Sequence, residues 1–291
     1  MLPTPVLPPA QTLDAALAAA ARTLTTATDT PRLDAELLLA FALDCERTTL
    51  LTHGEQRLDK DLQRRFEDLI VQRRRGVPVA HLLGRREFWS LMLRVTPDTL
   101  IPRPETELLI ELALDRTAPN AVQPIADLGT GSGNIALALA LERPCCVITA
   151  TDCSAAALAV ARDNARQLAA TNIDFFHGDW FAPLGNKRYA LIVSNPPYIA
   201  VDDPHLCAGD VRHEPELALA AGPDGLEALR HLIQHAPEHL LPGGWLLLEH
   251  GHAQGAAMRE LFKKQGYDRI ETRRDLAGHE RVTLGCISHD R

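Results

Sequence analysis

The chain has 291 residues, 46% of them hydrophobic and 23% charged, with a formal net charge of −8 and an isoelectric point near 5.8. That is enough apolar material for a real core in one large domain or two ordinary ones. The acidic balance argues against duplex DNA as the main partner, because neutralising phosphates calls for a broad basic surface, and the clusters Arg73-Arg74-Arg75 and Arg85-Arg86 are short and local.

No apolar run is long and clean enough to span a bilayer. The proline-rich start MLPTPVLPPA lacks the basic opening of a signal peptide. Six cysteines occur without a Cys-x-x-Cys pair, which suits thiols in a reducing compartment. A cytoplasmic protein that makes no use of a membrane is expected.

Residues 1–10 read as a loose tail. Leu13, Leu17, Ala20, Ala21 and Leu24 then share a helical face. Leu33, Leu37, Leu38 and Phe41 form a second stripe behind Pro31, and Leu58, Leu62, Phe66, Leu69 and Ile70 a third. A small all-α domain over residues 1–75 follows. Pro78, Pro97, Pro102 and Pro104 punctuate residues 76–104, where Phe88-Trp89 and the run from Leu91 to Val95 look extended, so a hairpin or extended linker is expected. A helical pattern resumes over 105–113 and opens the last domain, 105–291.

From Pro124 the rhythm alternates. Strands are expected at 125–128, 147–152, 173–176, 189–194, 245–249, 269–272 and 281–287. Helices are expected at 134–141, 155–170, 225–240 and 252–265. Strands alternating with helices define an α/β sheet covered on both faces.

Asp127-Leu128-Gly129-Thr130-Gly131-Ser132-Gly133 follows a strand and opens a helix. Its glycines allow a sharp turn and close approach to a ligand, and helix N-terminal amides can hold polar groups. Such a turn also serves dinucleotides. The G-x-G-x-G spacing after an acidic residue favours S-adenosylmethionine. So does Asp152 at the end of the next strand, where a carboxylate can accept both ribose hydroxyls. The competing role for Asp152, capping the helix that begins near Ala155, can fall to Ser154. Asp179 can accept from an adenine amino group, and Trp180 can stack on the ring.

Asn195-Pro196-Pro197-Tyr198 ends the fourth strand. An amide or aromatic amino nitrogen is a poor nucleophile, because its lone pair is delocalised. Its NH2 group carries two donors and needs two acceptors. Asn195 offers a side-chain carbonyl, and Pro196 a backbone carbonyl with no N–H beside it. Both can orient the NH2 and favour the charge that develops on it. Tyr198 adds an aromatic wall with a hydroxyl. Neither a metal nor a strong base is needed, since a sulfonium methyl is already activated. His231, His235 and His239 recur at helical spacing but lack Cys or carboxylate partners in a ligand pattern, so no metal site is expected.

Several stretches together resemble the bacterial protein-(glutamine-N5) methyltransferase family, PrmC or HemK. They are the helical first domain, the linker GRREFWSLMLRVTPDTLIPRPETE at 84–107, DLGTGSGNIALALA at 127–140, NPPYI at 195–199 and RHEPELALAAGPDGL at 212–226. Ala220-Ala221-Gly222-Pro223 departs slightly from the glycine pair expected before Asp224. The resemblance implies a class I methyltransferase fold, Rossmann-like, with a seven-stranded, mostly parallel sheet. It implies S-adenosylmethionine contacts at Gly129, Thr130, Gly131, Ser132, Gly133, Asp152, Asp179, Trp180 and Asn195. Substrate contacts are implied at Asn195, Pro196, Pro197 and Tyr198, with Asn195, Pro196 and Tyr198 catalytic. The implied substrate is the glutamine of the Gly-Gly-Gln motif in class-1 peptide chain release factors, which the helical domain and linker would help to position. Arg103 and Glu105 either border the site or anchor the linker, and Arg212 and Glu214 are candidates for shaping a channel. DNA adenine, which presents the same planar NH2, is the main rival substrate; a glutamine of another protein, such as a ribosomal protein, is the second, and a non-catalytic binding module that keeps the fold is the third reading.

Overall fold

In the computed structural model of the chain, residues 12–288 are described; the tail expected at residues 1–10 lies outside them. The leucine and alanine spacing of the first part forms α1 (Leu13–Leu24), α2 (Pro31–Leu43), α3 (Arg47–Thr52), α4 (Lys60–Arg74) and α5 (Val79–Leu83). Polar caps start two of them. The Thr12 hydroxyl accepts from the Ala15 amide at 3.3 Å, and Asp59 Oδ1 accepts from the Asp61 and Leu62 amides at 2.9 Å each. Leu17, Leu24, Leu38, Leu39, Leu50 and Phe66 meet in one apolar cluster.

Helix α2 is rotated from expectation. Leu33 is 37% exposed, and the inward face is Ala35, Leu38, Leu39 and Ala42. The helix is apolar around most of its circumference, so spacing alone allows more than one face. The alanines allow the closer approach to α1. Helix α5 also replaces expected extended chain. Pro78 precedes it, and Gly84, at φ 66°, ends it in the left-handed conformation that a Cβ disfavours.

Two compact units form: the helical one, up to Arg85 together with Cys207–His213, and a second spanning Arg86–Leu206 and Glu214–Arg291. Within the helical unit, buried Arg73 donates to Asp34 at 2.7 Å and pairs with Asp210.

A hairpin of β1 (Arg85–Phe88) and β2 (Leu91–Arg94) leads into the second unit. Its two turn residues, Trp89 and Ser90, have φ of 51° and 58°, the sense that matches strand twist. Side chains hold the turn: the Trp89 amide donates to Glu107 and its indole to Glu142, both at 2.9 Å. Then follow α6 (Glu107–Asp115), β3 (Pro124–Leu128), α7 (Asn134–Glu142), β4 (Val147–Asp152), α8 (Ala155–Gln167), β5 (Ile173–His177) and β6 (Tyr189–Ser194). The unit ends with α9 (Glu227–His239), β7 (Leu240–Glu249), α10 (Gly255–Gln265), β8 (Asp268–Arg274) and β9 (Glu280–Cys286).

The seven strands lie in the order β5-β4-β3-β6-β7-β9-β8. Pairs from β5 through β7 are parallel, and β9 runs antiparallel to both neighbours. Alternate residues serve opposite faces. Ile125, Ile148, Leu191 and Leu247 pack with α6 and α7, while Ala126, Leu128, Ile192 and Leu246 pack with α9 and α10. The chain runs outward from β3 to β5, then returns to β6 beside β3. That reversal opens a crevice at the carboxyl ends of β3 and β6.

Asn164 on α8 secures the edge of this crevice. Its Nδ2 donates to the carbonyls of Arg94 at 3.0 Å and Ser132 at 2.9 Å, and its Oδ1 accepts from the Arg94 amide at 2.8 Å. Asn164→Leu keeps the volume and strips all three bonds. It should cost about 2–4 kcal/mol in urea denaturation; an unchanged midpoint would show the bonds to be incidental.

Candidate active site

The Gly129–Gly133 turn is built by backbone bonds to β4. The Gly129 and Thr130 amides both donate to the Thr151 carbonyl at 2.9 Å. Asp127, fully buried at the end of β3, holds the turn from beneath. Its Oδ2 accepts from the Thr130 hydroxyl at 2.6 Å and from the Ala136 amide at 3.1 Å, while Oδ1 has no hydrogen-bond partner among the described residues. Burial pushes this carboxyl up to about 7 against those two bonds.

Asp152 ends β4. Oδ2 accepts from the Gly131 amide and Oδ1 from the Ser154 amide, each at 2.8 Å. The carboxylate is thereby aimed, with a second lone pair on each oxygen still available. Burial raises its pKa in spite of these amides. The helix-capping job falls to Ser154, whose hydroxyl accepts from the Ala157 amide at 3.1 Å.

Gly129 has φ 73°, and a Cβ there would sit 3.1 Å from the Trp180 ring. Both backbone conformation and the indole therefore require glycine. Trp180 is itself left-handed at φ 42°; its carbonyl accepts from the Thr151 hydroxyl at 3.1 Å.

At the end of β6, Asn195 Nδ2 donates to the Thr106 hydroxyl at 3.1 Å. This engages the amino half of the amide and leaves Oδ1 to accept. Tyr198 is half-buried, and its hydroxyl donates to Glu249 at 3.3 Å. Glu249, at the end of β7, is buried, and burial pushes it up to about 7 against the hydroxyls of Thr106 and Tyr198.

These strand ends surround a cavity of about 460 Å³. Gly129, Thr130, Gly131, Ser132, Asp152, Asp179, Trp180, Asn195 and Pro197 line it. Gly133, Pro196 and Tyr198 do not. Gly133 instead takes φ 86° at the start of α7, where a Cβ would press on Ala161 and Leu137 at 3.1 Å. The Ser132 hydroxyl is buried, has no hydrogen-bond partner among the described residues and belongs to the cavity wall.

The far wall joins two distant segments. Glu214 accepts from the Ile101 amide at 2.8 Å and pairs with Arg103, setting Leu100, Pro102 and Arg103 opposite Pro215 and Leu217 around the opening. Arg212 lies in the helical unit, donating to the Arg75 carbonyl at 3.0 Å. His231 reaches the cavity, while His239 stacks on Phe181 with centroids 4.8 Å apart. Among the described residues no group of three or more His, Cys, Asp or Glu is arranged for a metal ion, and no helix is long and apolar enough to cross a membrane.

Thr106, Glu249 and Gln254 escaped sequence reasoning. Each acts on a residue more than 50 positions away, so no local pattern marks it.

A doubly wound sheet with a glycine turn, a carboxylate and an Asn-Pro-Pro-Tyr turn at adjacent strand ends defines a class I methyltransferase fold. Solved structures of similar fold include a methyltransferase from Pyrococcus furiosus (TM-score 0.52, 19% identity, 68% of this chain and 89% of that one). Another is the Thermus thermophilus 16S rRNA N2 G1207 methyltransferase in complex with AdoMet and guanosine (TM-score 0.52, 18% identity, 70% of this chain and 49% of that one). Family models match at residues 15–84, the PrmC N-terminal domain, and at residues 104–208, the methyltransferase small domain. Release factor glutamine methyltransferases align over nearly the whole chain. The Vibrio cholerae protein is 51% identical over 96% of this chain and 98% of its own length. The Xylella fastidiosa protein is 53% identical over 90% and 96%, and the Escherichia coli protein 50% over 89% and 93%. The chain belongs to the release factor glutamine methyltransferase family.

Asp127 also makes stability depend on pH. Its folded carboxyl keeps a proton up to about 7, whereas the unfolded chain gives it up near the ordinary value of 3.8. The unfolded state binds fewer protons in that window. Stability from this group is therefore complete below the lower value and lost as pH rises through the upper one. Relative to Asp127→Asn, the wild type should lose stability between about pH 4 and about pH 7 in guanidinium titrations; a constant difference between the two would refute the raised carboxyl.

Proposed function

We propose that the protein transfers the methyl group of S-adenosylmethionine to the side-chain amide nitrogen (N5) of the glutamine in the Gly-Gly-Gln motif of class-1 release factors. The observation that carries this reading is Asn195. Its amide is fixed by Thr106 with the carbonyl left to accept, in one cavity with Asp152 and the glycine turn.

The cavity suits the cofactor. Asp152 has lone pairs for the two ribose hydroxyls, Asp179 can accept from the adenine amino group, and the Trp180 ring and Gly129 supply a flat wall. The orphaned Ser132 hydroxyl is a polar group in want of a ligand. The cofactor supplies a sulfonium methyl that is already electrophilic. The chain has to hold a weak nucleophile. Asn195 Oδ1, on the cavity wall, accepts one N–H of the glutamine amide, and the second is assigned to the Pro196 carbonyl, which lies beside the lining rather than in it; together they turn the nitrogen toward the methyl and favour the charge it gains. The new N–C bond forms as the methyl–sulfur bond breaks, the neutral thioether S-adenosylhomocysteine is the leaving group, and the N-methyl amide gives up one proton to solvent.

The helical unit and the 76–104 linker are assigned to positioning the release factor. A release-factor substrate supports a cytoplasmic location.

Purified protein incubated with methyl-labelled S-adenosylmethionine should label an unmethylated release factor and not DNA. The label should vanish when the Gly-Gly-Gln glutamine is replaced; label on DNA alone would make adenine the substrate. Asn195→Ala should lower kcat by about 100-fold or more while cofactor binding by calorimetry stays measurable. Near-normal turnover would remove Asn195 from the mechanism. Asp152→Ala should weaken cofactor affinity by about 10- to 100-fold, and an unchanged Kd would rule out the ribose contact.

A further inference from the structure

Tyr198 is held at both ends by one segment of chain. Its hydroxyl donates to Glu249 at 3.3 Å, and its backbone carbonyl accepts from Gln254 Nε2 at 3.0 Å. Glu249 is the last residue of β7, and Gln254 immediately precedes α10.

Gln254 is fully employed. Its Nε2 also donates to the Gly225 carbonyl at 3.2 Å, and its Oε1 accepts from the Gly251 amide at 2.8 Å. A side-chain amide bonded through both halves has one orientation. Gly225 completes the clamp: at φ 69° it lies so close to Tyr198 that an added Cβ would collide with the tyrosine carbonyl. Beyond Tyr198 the chain is pinned again, with the Ile199 amide donating to the Leu219 carbonyl and the Val201 amide to the Gly222 carbonyl, both at 3.0 Å.

Neither Glu249 nor Gln254 lines the cavity; both act on Tyr198 instead. A turn beyond a strand end is not rigid by itself, and a site displaced by about 1 Å can lose about 100-fold in rate. We infer that Gln254 and Glu249 are positioning residues for methyl transfer, clamping Tyr198 from behind so that the Asn195–Tyr198 turn keeps Asn195 aimed into the cavity. This rests on the glutamine-methylation reading above.

Gln254→Glu tests it with little change of shape. The acceptor facing Gly251 is kept, and the donor between two carbonyls becomes an oxygen. Backbone hydrogen exchange over residues 195–201 should quicken about tenfold or more, with β3 and β4 unaltered. Turnover of the release factor should fall about tenfold or more, with the cofactor Kd within about twofold of wild type. Wild-type exchange in that turn, or wild-type kcat, overturns the inference. So does loss of cofactor binding and of β3 and β4 protection in step with kcat, which would mark Gln254 as general support of the fold.

Glu249 gives a second pair, which decides the matter if Gln254→Glu does not fold. Glu249→Gln keeps an oxygen for the Tyr198 hydroxyl and should stay within about threefold of wild-type kcat, whereas Glu249→Ala should lose about tenfold or more. Equal turnover in Glu249→Ala and wild type sinks the clamp. A wild-type enzyme that labels no glutamine refutes the substrate reading instead, and the exchange measurement still judges the clamp.

Discussion

Parallel pairing of β3 with β4 on one side and β6 on the other is the constraint on which the site depends. Asp127 lies level with Ala150 and Val193, so the three strands end together. The residues that follow them then have nowhere to go but the same crevice. The glycine turn, Asp152 and Asn195 come from separate stretches of chain, yet all line one cavity. Helices on both faces of the sheet keep the register by burying alternate side chains, since a slip of one residue would turn each apolar side chain to the wrong face.

Polar groups at this junction are held at a cost. Asp127 and Glu249 are carboxyls buried at the ends of β3 and β7, two strands of the same sheet, and burial drives both toward neutrality. An apolar residue in either place would avoid that cost. What the acids do instead is local. Asp127 ties a glycine turn that has few side chains of its own, and Glu249 gives a buried tyrosine hydroxyl an acceptor. Left-handed Trp180 is a similar case, with a strained backbone kept by its bond to Thr151 and by the glycine opposite.

The Pro-rich stretch before α6 is as much part of the site as the sheet. Thr106 fixes the Asn195 amide, and Arg103 with Ile101 meets Glu214 across the cavity mouth. Of the two roles that the sequence left open for Arg103 and Glu105, Arg103 shows features of both, since it lines the cavity and is tied to Glu214, whereas Glu105 and Glu214 are not part of the lining. Arg212, only two residues from Glu214, belongs to the helical unit instead.

Local chemistry carried much of this into the sequence. Strand and helix alternation, glycine spacing and the two prolines after Asn195 each reflect a backbone requirement within a few residues, so the α/β architecture and the turns at the strand ends were legible from residue order. Side-chain facing was less so: the second helix is apolar nearly all round, and only packing against α1 selects the Ala35 and Leu39 face. Gly133 has the spacing of a ligand-facing glycine, but its place is a tight helix start against Ala161. Thr106, Glu249, Gln254 and Asn164 were invisible, because their partners lie 89, 51, 56 and 70 positions away. Hydrogen bonds of that kind have no sequence period. They exist only once the sheet has closed and brought the ends of its strands together.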